Sequence, residues 1–143
     1  MQLFTIGYTK KFAKTFFEMI NANHIDVLID VRLYNSSQLA GFSKSRDLEY
    51  FLGQICNCDY IWAPQFAPTA PLLNGYKDGK ISWDEYERIY NELLSQRNNL
   101  DFFRNYQDKR ICLLCAEETP RQCHRRLLAE KIAALYNIDL THL

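Results

Sequence analysis

The stretch RICLLCAEETPRQCHRRLLAEKIAAL, Arg110–Leu135, decides how the chain is read. Its first six residues are apolar apart from the leading arginine and fit a strand covered on both faces, a pattern typical of parallel sheets. Its last third carries Leu127, Leu128, Ile132 and Leu135 at helical spacing. Between them, Thr119-Pro120-Arg121-Gln122 has the form of a helix start, with Thr119 as N-cap, Pro120 at the first helical position and Gln122 completing a capping box. Strand, loop and helix in that order form one step of an α/β fold.

Working outward, the same alternation recurs. Leu3–Gly7 and Asp26–Val31 read as strands, separated by a helical pattern from Lys10 to Asn23. Arg46–Cys56 is predicted helical and Asp59–Pro64 a third strand. Pro64, Pro68, Pro71, Gly75 and Gly79 then predict a loop of 63–80, long enough to be functional or mobile. Ser82 is placed to cap the helix WDEYERIYNELL, with Glu85 three residues on. A short helix over Leu100–Tyr106 and a closing strand in IDLTHL complete the pattern. The expectation is one domain over residues 1–143. Its fold is three-layer α/β, with a mostly parallel sheet of about five strands and helices on both faces.

Composition narrows the class. Seventeen Lys+Arg balance seventeen Asp+Glu, which argues against wrapping a nucleic acid by charge alone. Apolar runs of five or six residues are too short for a membrane span, so no membrane partner is expected. The N-terminus MQLFTIGYT shows no secretory leader, and five cysteines, an odd number, fit reduced thiols in a cytoplasmic setting. Cys112 and Cys115 have C-x-x-C spacing, but three residues apart on a strand they face opposite ways. Cys115, Cys123, His124 and His142 lack the second close-spaced pair usual in structural zinc sites, so no metal site is assigned. Neither a cofactor nor an oligomeric state follows from the residues.

In open parallel sheets the ligand crevice lies beyond the C-terminal strand ends. That rule selects Gly7-Tyr8-Thr9, Asp30-Val31-Arg32, Pro64-Gln65 and Cys115-Ala116-Glu117. Arg121, Arg125 and Arg126 crowd the predicted start of the last helix, where a bound anion would offset their repulsion from the dipole. Surface pairing with Glu117, Glu118 or Glu130 is the alternative. Asp30 and Arg32 form either a structural ion pair or, with Arg125, a clamp on a phosphate or carboxylate. The polar run Ser36, Ser37, Phe42, Ser43 and Lys44 stands where it would close over such a ligand. Cys115 reads in two ways. It is a buried residue ending a strand, or a nucleophile in the C-x5-R spacing Cys115–Arg121, near a helix start that favours the thiolate. Aromatic residues near the strand ends, Tyr8, Tyr34, Tyr60, Trp62, Phe66 and Tyr76, serve either the core or base stacking.

Ile6-Gly7-Tyr8-Thr9, Asp30-Val31-Arg32, Phe42-Ser43, and Leu114-Cys115-Ala116-Glu117 with Cys123-His124-Arg125, in that order, resemble domain of unknown function family 488. The resemblance implies a small α/β domain and no established activity. It implies recurrent positions at Gly7, Tyr8, Asp30, Arg32, Ser37, Cys115, Glu117, Cys123, His124 and Arg125. The stretch Ala63–Pro68 departs from the glycine-containing segment found in relatives. From residues and resemblance together, the leading expectation is an enzyme or ligand-binding domain for a small phosphate-bearing ligand such as a nucleotide, at the C-terminal edge of the sheet. Gly7, Tyr8, Asp30, Arg32, Ser37 and Arg125 are its candidate binding residues; Glu117, His124 and Cys115 are its candidate catalytic groups. Two alternatives stand beside it: a nucleic-acid-interacting module using Arg121, Arg126, Lys10, Lys11 and aromatics, and a thiol-dependent enzyme using Cys115 or Cys123.

Overall fold

Five short strands, β1 (Gln2–Gly7), β2 (Val27–Asp30), β3 (Asp59–Trp62), β4 (Arg110–Cys115) and β5 (Leu140–His142), form one sheet in the order β3-β2-β4-β1-β5. In the computed structural model, which describes residues 1–36 and 41–143, every adjacent pair is parallel. Ser37 lies outside the described residues. The central strands β2 and β4 are almost wholly apolar and buried along their length, as a sheet covered on both faces requires.

The two faces carry separate cores. Helices α1 (Ala13–Ala22) and α2 (Ser45–Phe51), with the π-helical turn Leu52–Cys56 that continues α2, cover one face through Phe16, Ile20, Leu48 and Leu52, against Phe4, Ile6, Leu28 and Cys112. Helices α3 (Ala70–Lys77), α4 (Trp83–Arg97) and α5 (His124–Tyr136), with a 3₁₀ helix over Leu100–Tyr106, cover the other through Leu72, Tyr86, Tyr90, Phe103 and Leu128. This is the three-layer arrangement expected. Right-handed crossovers account for the split: chain moving towards the β3 edge passes over one face, and chain moving back passes over the other. The consequence for function lies at the middle of the sheet. After β2 the chain runs on towards β3, whereas after β4 it runs the opposite way towards β5. The loops therefore part between β2 and β4 and leave a crevice at their C-terminal ends.

Two local expectations are corrected. The segment expected as a loop over 63–80 contains a 3₁₀ turn, Pro64–Phe66, and all of α3. Thr69 caps α3 by accepting from the Leu72 N–H at 3.4 Å, and Pro71 sits in the first turn, where no hydrogen bond is asked of its nitrogen. Gly75 in α3 is no breaker either; a Cβ there would meet the Ile81 side chain at 2.5 Å, so the glycine admits close packing. The second correction concerns α5. Its N-cap is Cys123, with extended φ −141° and ψ 138° and no side-chain cap, so Thr119-Pro120-Arg121-Gln122 belongs to the loop before it. By contrast Ser82 caps α4 as expected, accepting from the Glu85 N–H at 3.2 Å.

A thiol–imidazole site at the sheet's C-terminal edge

The loop between β4 and α5 is tied down by Gly7 and Arg125. A Cβ on Gly7 would lie 1.6 Å from the Glu117 carbonyl oxygen, so only glycine lets the loop rest on the end of β1. Arg125, fully buried at 0% exposure, donates from Nη1 to that same carbonyl at 2.7 Å. The Thr9 N–H adds a bond to the Ala116 oxygen at 3.1 Å. Anchored in this way, the loop returns the chain so that α5 starts beside the end of β4.

Three side chains meet there. Sγ of Cys115, Sγ of Cys123 and a ring nitrogen of His124 all lie within 4.8 Å of one another, and all three residues are buried. His124 Nε2 stands 2.8 Å from the Val31 carbonyl, which can only accept, so Nε2 carries a hydrogen. That fixes the free role of Nδ1, which faces Cys115 Sγ at 3.7 Å, at the long end for a sulfur hydrogen bond. Nδ1 accepts from the thiol, or as imidazolium donates to the thiolate. Tyr90 holds the ring from the side, its own ring 5.5 Å away edge-on and its hydroxyl donating to the Phe66 carbonyl at 2.6 Å.

The electrostatics of this cluster are asymmetric. A hydrogen bond from Cys123, then the charge and hydrogen bond of His124 and the charge of Arg125, hold the Cys115 thiol well below its ordinary range despite burial. Burial pushes Cys123 the other way, reinforced by its hydrogen bond to Cys115. His124 is raised: burial opposes its charge, but Cys115 and the Val31 carbonyl outweigh that opposition. The dipole of α5 adds to the same side, since both sulfurs stand at its N-terminal end. The arrangement supports a thiolate on Cys115, a proton on His124 and a neutral thiol on Cys123.

These groups line a cavity of about 440 Å³. Tyr8, Arg32, Tyr34, Tyr76, Lys77 and Tyr86 form much of the rest of its wall. Tyr76 also donates to Gln122 Oε1 at 3.0 Å, joining α3 to the loop. Tyr86 and Lys77 are not among the residues selected from the sequence, where Lys77 falls in the stretch read as loop, and Gln122 is read there only as a capping residue. The i, i+3 and i+7 stripe Trp83, Tyr86, Tyr90 is the available signal, with Trp83 and Tyr86 stacked at 5.1 Å.

The binding candidates divide. Tyr8 and Arg32 line the cavity, with the Arg32 guanidinium 5.3 Å above the Tyr8 ring. Asp30 stands behind it as the partner of Arg32: Oδ1 accepts from Nε at 2.8 Å and Oδ2 from Nη2 at 2.7 Å. Asp30 Oδ2 also accepts from the Tyr60 hydroxyl at 2.6 Å, and Arg32 Nη2 reaches the Ser43 carbonyl at 2.8 Å. The pair is therefore a buried structural one, with Asp30 at 0% and Arg32 at 3% exposure, and it raises the Arg32 pKa against the pull of burial. Arg32 Nη1 has no partner among the described residues. Gly7 and Arg125 are not among the residues lining the cavity; both meet the Glu117 carbonyl and hold the loop. Glu117 lines the cavity and is exposed. Arg121 lines an adjoining depression of about 180 Å³ that shares Tyr76, Glu117 and Gln122 with the cavity, and is not among the residues lining the Cys115 cavity itself. Arg126 pairs with Glu130 at 2.9 Å and Glu87 at 3.8 Å, and Lys10 with Glu118 at 3.4 Å. These cations answer one another's carboxylates at the surface.

The same three atoms, two sulfurs and Nδ1, meet the donor count of a three-ligand site for a thiophilic ion, with the cavity on the open side. His142 is not in this group; its Nδ1 meets Thr5 Oγ1 at 2.6 Å, between β1 and β5.

Fold and site together define a class: a small all-parallel α/β protein with a paired thiol and imidazole at the central strand ends. The family model described as Domain of unknown function DUF488 matches residues 12–132 of the 143, and the chain belongs to that family. The Ile6–Thr9 motif precedes the matched span. No curated protein and no solved structure matches the chain. Among the described residues, no helix is long and apolar enough to cross a membrane.

Proposed function

We propose that the protein is a thiol-dependent enzyme in which Cys115 is the nucleophile and His124 its proton partner, acting on a small anionic ligand held in the cavity. The observation that carries this reading is the chain of contacts Cys115 Sγ···His124 Nδ1 at 3.7 Å and His124 Nε2–H to the Val31 carbonyl at 2.8 Å. A nucleophile, a base within reach and a third group orienting the base are the parts that covalent catalysis by cysteine needs. In the reaction the Cys115 thiolate bonds to the electrophilic centre of the ligand, and the leaving group departs with the proton from His124 Nδ1. Water or a second acceptor, deprotonated by His124, then releases the group and restores the thiolate.

The expectation of an anionic ligand is supported by Arg32 Nη1, a buried donor without a partner among the described residues, on a residue that lines the cavity beside Lys77. The tyrosines of the wall suit a flat ring, as a nucleotide base offers. Timed iodoacetamide labelling tests both parts. Cys115 should label rapidly at pH 7, and His124→Ala should slow it by more than tenfold. Phosphate or a nucleoside monophosphate should protect it at saturating concentration. Slow labelling of Cys115 would refute the nucleophile, and labelling unchanged across a panel of anions would refute the anionic ligand.

A further inference from the structure

The nucleophile does not stand alone in its cavity. Cys123 is one of five free cysteines, and it is the one whose sulfur faces Cys115. Cys112 points from the same strand into the opposite core with Cys58, and Cys56 packs against that core too. The site thiols are therefore separated by the sheet from the other three. Both Cys115 and Cys123 line the cavity, so a small oxidant that reaches one reaches the other. Cys123 is not needed as the proton partner of Cys115, since His124 fills that place, and a cap position is more often held by Ser, Thr, Asp or Asn. Its placement calls for another role.

We propose that Cys123 is the resolving thiol for Cys115: a hydroperoxide entering the cavity oxidises Cys115 to a sulfenic acid, which Cys123 converts to a 115–123 disulfide. The proposal rests on the nucleophile reading of Cys115 given above. In the first step the Cys115 thiolate attacks one peroxide oxygen and the O–O bond breaks. The released oxyanion takes the proton from His124, so the sulfur loses two electrons and the peroxide gains them. In the second step Cys123 sulfur attacks the sulfenic sulfur, the S–S bond forms, the S–O bond breaks, and the hydroxyl leaves as water with the Cys123 proton. The sulfurs, within 4.8 Å in the reduced state, must close to about 2 Å. Gly7 and Arg125 hold the Glu117 carbonyl of the joining loop, so the closure turns on rotation of the Cys115 and Cys123 side chains. The ligand-free enzyme is then switched off reversibly, and the disulfide shields Cys115 from oxidation to sulfinic acid.

Peptide mapping of the full-length protein after brief treatment with hydrogen peroxide decides the matter. The expected product is a 115–123 disulfide, two hydrogens lighter than the dithiol and fully reversed by dithiothreitol. In Cys123→Ser, Cys115 should instead be trapped by dimedone as the sulfenic acid and pass to the sulfinic acid irreversibly. Wild-type protein that goes to Cys115 sulfinic acid without the disulfide, or pairs Cys115 with another cysteine, overturns the proposal even if the variant fails to fold. Iodoacetamide labelling of the reduced protein separates the two readings. Fast labelling without disulfide refutes only the resolving role, whereas slow labelling removes the nucleophile itself.

Discussion

Cys112 and Cys115 lie on one strand, three residues apart, both buried, yet they are opposite in chemistry. Burial raises Cys112 far above the ordinary thiol range, and pushes Cys58 beside it to about 12. Cys115 is also buried, at 6% exposure against 0%, and goes the other way. The difference is what each sulfur faces. Cys112 points into Phe4, Leu28 and Leu114 and their neighbours, where only the charge of Arg125 works against burial and does not offset it. Cys115 points to a hydrogen bond from Cys123, the His124 ring, the Arg125 charge and the start of α5. Burial by itself disfavours a thiolate; burial among fixed donors and cations favours it, because no water competes for them. A single sheet thus carries a thiol with a raised pKa on one face and a thiol with a lowered pKa on the other.

The sharpest way to break this contrast is to titrate both thiols with iodoacetamide, which reads the thiolate. A lowered pKa means that the thiolate persists as pH falls through the ordinary thiol range near 8.5 and disappears only below the folded value. Labelling of Cys115 should therefore hold constant from pH 9 to below 7, while Cys58 and Cys112 stay unlabelled throughout. The expected ratio at pH 7 exceeds a hundredfold. Equal labelling of Cys115 and Cys112 in the folded protein would erase the comparison.

Next in size is the ion pair behind the cavity. Asp30→Ala removes the only carboxylate that Arg32 touches among the described residues, and leaves a guanidinium at 3% exposure without a counter-charge. The expected loss is about 3–5 kcal/mol in urea unfolding, the cost of orphaning a buried charge. A loss under about 1 kcal/mol would mean that Arg32 swings out to water and that the pair does not shape the cavity.

Much of the frame for this contrast is legible in the sequence, and the part that is not has a definite cause. Near-continuous apolar runs such as Val27–Asp30 and Ile111–Leu114 are typical of central parallel strands, and they locate the strand ends that matter. The alternation of faces likewise separates Cys112 from Cys115 before any coordinates are known. What failed was local punctuation. Pro71 and Gly75 read as loop residues, although one is at home in a first helical turn and the other makes room for Ile81. The Thr119-Pro120 capping signal lost to a tertiary constraint: the Gly7–Glu117 contact and Arg125 hold the loop, and the helix starts where that loop ends. Roles were harder still. Gly7 and Arg125 stand in the ligand-binding set on their strand-end location, but they reach the site through the Glu117 carbonyl. That the His124 ring meets Cys115 depends on the orientation of α5, which no spacing encodes.

The role of Gly7 can be tested at the next level of effect. Gly7→Ala puts a methyl 1.6 Å from the Glu117 oxygen, on a buried strand end where neither backbone can yield freely. The expected cost is about 1–3 kcal/mol, typical of overpacking. Because the displaced loop carries the approach to α5, Cys115 labelling at pH 7 should fall together with stability. A stability loss with labelling unchanged would show that the loop shifts as a body without disturbing the thiol–imidazole pair.

The smallest effect belongs to a position chosen to be remote. Ser82 accepts from the Glu85 N–H at the start of α4, on the surface. Ser82→Ala leaves that N–H to water, and the expected cost is about 1 kcal/mol in urea unfolding. Yet α4 also presents Tyr86 to the cavity and Tyr90 to the His124 ring, one and two turns further on. If α4 acts only as a rigid wall, the variant labels at Cys115 at the wild-type rate despite its lower stability. A labelling rate that drops along with the cap would mean that fraying of the first turn reaches the imidazole through Tyr86 and Tyr90. The low pKa of Cys115 would then depend on the aromatic stripe of α4 as well as on the groups it touches directly.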